Sequence, residues 1–298
     1  MDDYYVIDAH VHTYPTPEIG LQAQSGGGRA GCFGTQEELL TIMKSAGISS
    51  AVQVNMTPAK SMYDAACAKL PPEPKEPDLQ AIREKITDRV KRRNEFTCRL
   101  AMENPELVPF PSVDPIMGQE TMVAELQDKV ENFGAKGLKL HPAEGCFFPN
   151  DRVLWPVYET CVSLKIPIIS HGGLFASDIE YTRPINFIDV LKDFPELTLV
   201  IAHLGLGYFD ESVELAERFP HLYFDTSAAI HGAEGEVPLS DDEAVDLIRK
   251  IGTDRVMFGS DFPWFNPEWD LKRFLGLPFT EEERKAILAE NAERILSL

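Results

Sequence analysis

Eight short apolar runs, rich in β-branched and aromatic residues, recur along the chain with segments of helical period between them, at 4–9, 50–55, 107–113, 135–140, 166–170, 197–202, 222–226 and 255–259. Strands that are apolar throughout, separated by helices, belong to a parallel sheet covered on its outside, because a strand buried on both faces shows no polar alternation. A count of eight favours a closed (β/α)8 TIM barrel, an α/β fold, over an open doubly wound sheet. At 298 residues the chain suits one such domain over 1–298, and it buries enough apolar surface to need no disulfide or metal staple. Any metal is then catalytic.

The expected helices cover 35–46, 78–104, 118–133, 151–165, 186–194, 210–219, 240–251 and 280–296. Thr35-Gln-Glu-Glu38 and Thr280-Glu-Glu-Glu283 read as capping boxes, and Gly47 suits the left-handed position after a helix. Two insertions, at 14–34 and 58–77, read as loops. In a barrel both overhang the C-terminal face, as pocket walls or as tolerated surface insertions.

Lys and Arg number 28 against 48 Asp and Glu, a formal charge of −20 that repels nucleic acid and anionic membrane, leaving a small molecule as the expected partner. The five cysteines form no CxxC pair and read as reduced thiols. The N-terminus opens on acids and lacks a signal-peptide core, and no apolar run approaches the ~18 residues of a membrane span. The expected location is the cytoplasm.

Only seven histidines occur, and five fall at expected strand ends: His10 and His12 on the first, then His141, His171 and His203 on the fourth, fifth and sixth. Asp261 follows the eighth. Side chains two apart on a strand share a face, so His10 and His12 make half a site for zinc or a similar divalent ion, which His171 and Asp261 would complete. Taken singly, each reads as a satisfied core histidine; in this order, together, they form a pattern.

The segments Ile7-Asp-Ala-His-Val-His12, Gly137-Leu-Lys-Leu-His-Pro142, Ile168-Ile-Ser-His171, Ala202-His-Leu-Gly205, 254–263 and 291–296 carry the likeness to a known family. In their joint order the chain resembles the amidohydrolase superfamily, in the branch of aminocarboxymuconate-semialdehyde decarboxylase. The resemblance implies a distorted barrel holding a divalent metal, usually Zn2+ with Mn2+ as the other candidate, on His10, His12, His171 and Asp261. It also implies His203 as acid/base and a homodimer. Binuclear members carry a carboxylated lysine or a glutamate on the fourth strand. Here Lys139 and His141 share the inward face, and Lys139 reads as a charge for a substrate carboxylate, a bridging ligand or a core lysine.

Arg29 and Arg183 are the loop cations suited to an anionic substrate, and Trp264 with Phe262 would wall the pocket. His221 has no expected role and His231 reads as a solvated loop histidine. Asp225 and Ser227 either contact the site or are ordinary strand-end residues. The leading functional expectation is hydrolysis of an amide, lactone or ester of a small carboxylic acid. A metal-activated water, its pKa brought toward roughly 7, would attack, with Asp261 taking the proton. The alternative is non-oxidative decarboxylation of an unsaturated or aromatic acid at the same site. A binding protein that has lost catalysis would lack ligands, and none is missing.

Overall fold

The computed structural model describes residues 4–25, 28–174 and 180–298; Gly26 and Gly27 of the first insertion lie outside the described residues. The eight apolar runs form the parallel strands β1 (Ile7–Val11), β2 (Ser50–Gln53), β3 (Leu107–Pro109), β4 (Leu138–Leu140), β5 (Ile168–Ser170), β6 (Leu199–Ile201), β7 (Leu222–Asp225) and β8 (Val256–Met257). Their hydrogen bonds run in the orders β1-β2-β3 and β4-β5-β6-β7-β8. Main-chain pairs join these groups at both seams: Lys139 N donates to Pro111 O at 2.8 Å, and His12 N to Phe262 O at 2.7 Å. The sheet therefore closes into a (β/α)8 TIM barrel.

Alternation along each strand divides the core in two. Leu138, Leu140, Ile168, Leu199, Ile201, Phe224 and Val256 pack with the helices outside, while Val52, Phe110, Ile169, Val200 and Met257 fill the interior. Ala289, Ala292, Ile295 and Leu296 from the C-terminal segment join the interior cluster. Truncating a side chain as fully enclosed as Phe110, for example to Ala, costs about 3–5 kcal/mol.

β1 begins three residues later than the apolar run at 4–9 and continues two residues past it, to Val11, because the polar His10 ends the apolar pattern before the strand ends. Both insertions contain helices, Pro17–Ala23 and Ala59–Cys67. The next helix, Glu76–Glu103, is the long one expected. Thr280 and Glu283 form the full capping box. Thr35 caps through its side chain, but Glu38 reaches past it to Phe33 N and Gly34 N, both at 2.8 Å. Gly47 adopts φ 76°, as expected of a left-handed cap. The C-terminal helix is interrupted by a π turn over Ala286–Glu290. All five cysteines are free, and no helix among the described residues is long and apolar enough to cross a membrane.

Candidate active site

The C-terminal ends of the strands deliver a group of buried polar side chains to the barrel mouth. The β1–β2 register shifts between Asp8 and Val11, and the rings of His10 and His12 lie 5.3 Å apart. Asp8 fastens this strand to the segment before Asp261, accepting from His10 N at 3.1 Å, Ser260 N at 3.0 Å and Ser260 Oγ at 2.6 Å. Burial pushes its carboxyl up to about 7 against those hydrogen bonds.

Asp261 Oδ1 lies 3.4 Å from His12 Nε2 and 3.7 Å from His10 Nε2, so one nitrogen from each ring and a carboxylate oxygen surround one point, all within 4.8 Å of one another. The tautomer of His10 follows from its other nitrogen. Asp225 Oδ2 accepts from His10 Nδ1 at 2.9 Å, which leaves the Nε2 lone pair facing His12 and Asp261. A carboxylate behind a histidine in this way is the arrangement that orients imidazole for a metal.

A second chain of hydrogen bonds fixes His203 and His171. The Ser227 carbonyl accepts from His203 Nδ1 at 3.0 Å and the Ser227 hydroxyl at 2.8 Å, while that hydroxyl donates to Asp225 Oδ1. His203 Nε2 therefore accepts from His171 Nδ1, 3.0 Å away, and the lone pair of His171 is on Nε2. His171 stands outside the His10, His12 and Asp261 group and stacks on His141, with ring centroids 4.2 Å apart. Gly173 holds this turn: at φ 96°, an added Cβ would lie 2.4 Å from Leu206 N, on the loop after His203. His203 (φ 62°) and Asp261 (φ 66°) both occupy the left-handed region, which costs a non-glycine residue on the order of 1–2 kcal/mol. Asp225 offsets this at His203 by accepting its backbone N–H at 3.0 Å.

Lys139 is fully buried with its Nζ 3.2 Å from His10 Nε2. Burial lowers its ammonium to about 8, opposed by Asp225 and Asp261. Burial, and then the charge of Lys139, holds His10 and His141 well below the ordinary histidine range. Burial does the same to His171, reinforced by His141 and His203. For Asp261 burial works upward, but the His12 hydrogen bond and the surrounding histidines hold it at about 2. Neutral imidazoles beside an ionised carboxylate are the donor set a divalent cation takes, and in that respect the residues fit a metal.

Trp264 meets His12 edge-on at 5.2 Å, whereas Phe262 is buried in the outer core and walls nothing. Arg29 donates to Glu236 O at 2.8 Å on an exposed loop, and Arg183 is ion-paired to Glu211 and stacked on Tyr208. His231 corrects the expectation of a solvated side chain: it is buried and stacked on Phe265 at 4.5 Å. Asp225 is the residue that sequence reading underrated. Its two oxygens hold His10, His203 and Ser227 together, and the available signal was its inward parity at the end of β7.

The family model for amidohydrolases matches residues 7–298. A dihydroorotase from Delftia acidovorans (strain DSM 14801 / SPH-1) is 26% identical over 157 residues, covering 46% of this chain and 45% of that protein, so the match spans less than half the length of this curated relative. Among solved structures, an uncharacterized TIM-barrel protein from Bordetella bronchiseptica is 23% identical, with a TM-score of 0.74 over 98% of each chain. A dihydroxybenzoic acid decarboxylase from Polaromonas sp. JS666, with bound manganese and the inhibitor 2-nitroresorcinol, is 16% identical with a TM-score of 0.74, over 99% of this chain and 97% of that one. At these identities the two structures establish a shared barrel.

Proposed function

Because the chain belongs to the amidohydrolase family, we propose that its barrel mouth is a metal-dependent active site that removes CO2 from a small aromatic or unsaturated carboxylic acid. The bond between His10 Nδ1 and Asp225 carries the metal-site half of this reading, since it turns His10 Nε2 toward His12 and Asp261. His10, His12, His171 and Asp261 are the residues that would hold the ion, Zn2+ or Mn2+. Bound there, a divalent cation supplies Lewis acidity and a grip on substrate oxygen.

The chain's own side chains do the remaining work. Lys139 sets a positive charge beside His10 against the substrate carboxylate. When the bond to CO2 breaks, its electron pair stays on the substrate carbon, which must then take a proton. His203 is the donor in this reading: Nδ1–H is committed to Ser227, so Nε2 is the nitrogen that takes up and releases the proton after its bond to His171 opens. Trp264 packs edge-on against His12 and would wall that side of the substrate. The fold shared with the Polaromonas decarboxylase supports this choice.

Hydrolysis of an amide, lactone or ester of a small carboxylic acid is the second reading, favoured by the sequence match to a dihydroorotase; Asp261 would then accept the proton of the attacking water. The test is to assay metal-loaded protein in parallel for CO2 release from hydroxybenzoic acids and for ring opening of small cyclic amides and lactones. CO2 release that His203→Gln abolishes without loss of metal supports the first reading. Ring opening without CO2 release replaces it with the second.

A further inference from the structure

A cleft of about 660 Å³ opens beside the barrel mouth, between the insertion after β1, the segment after β2 and the Glu76–Glu103 helix. Three of its lining residues, Arg89, Arg92 and Arg93, are spaced three and four apart on that helix and so share one face. Like charges so placed repel, and although Glu144 is a carboxylate lining the same cleft, among the described residues no carboxylate oxygen lies within 4.0 Å of any of the three guanidinium groups. The neighbouring Arg83 and Arg99 on the same helix both have such partners, Glu76 and Glu95.

Arg93 is the most enclosed of the three. Its ring-like plane lies between Tyr14 and Phe96, with the guanidinium carbon 4.6 and 5.2 Å from their centroids. Nη2 donates to the Thr13 carbonyl and, at 2.9 Å, to Asn55 Oδ1. Nη1 is buried with no hydrogen-bond partner among the described residues. Both acceptors are neutral, so the charge itself is left without a counter-ion, and burying such a charge is unfavourable until an anion arrives. Burial and the neighbouring Arg89 lower Arg93 to about 10, which leaves it charged at neutral pH.

The cleft also adjoins the site of chemistry. Thr13 follows His12 directly, and Tyr14, which lines the cleft, lies edge-on to Trp264, which in turn lies edge-on to His12. We propose that Arg89, Arg92 and Arg93 form a subsite for a second anionic group of the substrate, a carboxylate or phosphate distant from the reacting carboxyl. The substrate is then a dianion whose apolar body lies along Tyr14 and Phe96. This deepens the reading of the barrel mouth given above and rests on it.

Calorimetric titration with benzoate, isophthalate and 4-carboxycinnamate tests the subsite, because the last two place a second carboxylate at two distances. At low ionic strength at least one dianion is expected to bind about tenfold more tightly than benzoate, with the preference shrinking as salt is added. The double variant Arg89→Gln/Arg92→Gln, made at two exposed positions, is expected to lose that preference while keeping benzoate affinity and metal content. Inorganic phosphate that competes with the dianion marks a phosphate-bearing substrate; a dianion that binds without such competition marks a dicarboxylate. Equal affinity for benzoate and both dianions, or an undiminished preference in the double variant, overturns the proposal. Arginine-dependent binding without CO2 release refutes the proposed reaction alone, and CO2 release without arginine-dependent binding refutes the subsite alone.

Discussion

At the ends of β1, β4, β6, β7 and β8, Lys139, Asp225, Asp261 and three histidines are held against one another, whereas under the two insertions Arg89, Arg92 and Arg93 face a cleft in which, among the described residues, no carboxylate pairs with them. The first region uses its charges to hold geometry. Each bond there fixes a tautomer or a ring, and the strained backbone at His203 and Asp261 persists because the surroundings over-determine it. In the second region Arg93 is held by neutral acceptors and aromatic rings, but none of the three charges is paired with a carboxylate, so a counter-ion is left to come from outside. The contrast separates residues that build a site from residues that choose what enters it.

The largest effect that would sharpen this contrast comes from removing a member of the first region. His12→Ala is expected to lose bound metal and at least about a thousandfold in turnover with the fold retained, read by elemental analysis, kinetics and circular dichroism. Asp225→Asn keeps the shape but weakens the hold on His10, and an outer-shell change of this kind is expected to lower metal affinity or activity by about 10–100-fold. If Asp225→Asn matched wild type, the hydrogen-bonded half would be less interdependent than its geometry implies.

Smaller effects probe the surroundings. Asp270, buried with one oxygen on Gly232 N at 2.7 Å, has its carboxyl raised from 3.8 to about 8, by burial above all. Between those values the folded chain holds a proton that the unfolded chain has released, so folding takes up a proton and stability falls as pH rises through the window. Asp270→Asn is expected to flatten that fall, measured by denaturant titration from pH 4 to 8. Asp8, raised to about 7, contributes in the same direction and leaves a residual slope. Least of all, Arg183→Ala removes a partly exposed pair with Glu211 and is expected to change stability by less than about 1 kcal/mol and turnover not at all. A large loss of turnover there would return Arg183 to the substrate.

Most of the barrel was legible because its strands are apolar on both faces. What misled was polarity at the functional end: the apolar run stopped at Ala9, while β1 continues to Val11. Parity set His10 with His12 and Lys139 with His141 on inward faces, since period two along a strand survives a small error in its ends, and Asp261 followed from its place after the eighth run. It could not rank Asp225, whose importance lies in which nitrogen of His10 it meets across the barrel. The arginine cleft was invisible for another reason. Arg89, Arg92 and Arg93 sit on a helix of mixed charge that reads as a solvated face, and they line a cleft only because residues 14–25 and 56–62 fold over them. Conversely, Arg29 and Arg183 stood out as loop cations, but Glu236 and Glu211 engage them at the surface.

The most direct test of the metal-site account is metal content per chain by elemental analysis, on protein purified without chelator, for wild type and Asp225→Asn. The account predicts about one zinc or manganese per wild-type chain and less in the variant after equal dialysis. A wild-type chain that takes up no metal even on reconstitution contradicts it.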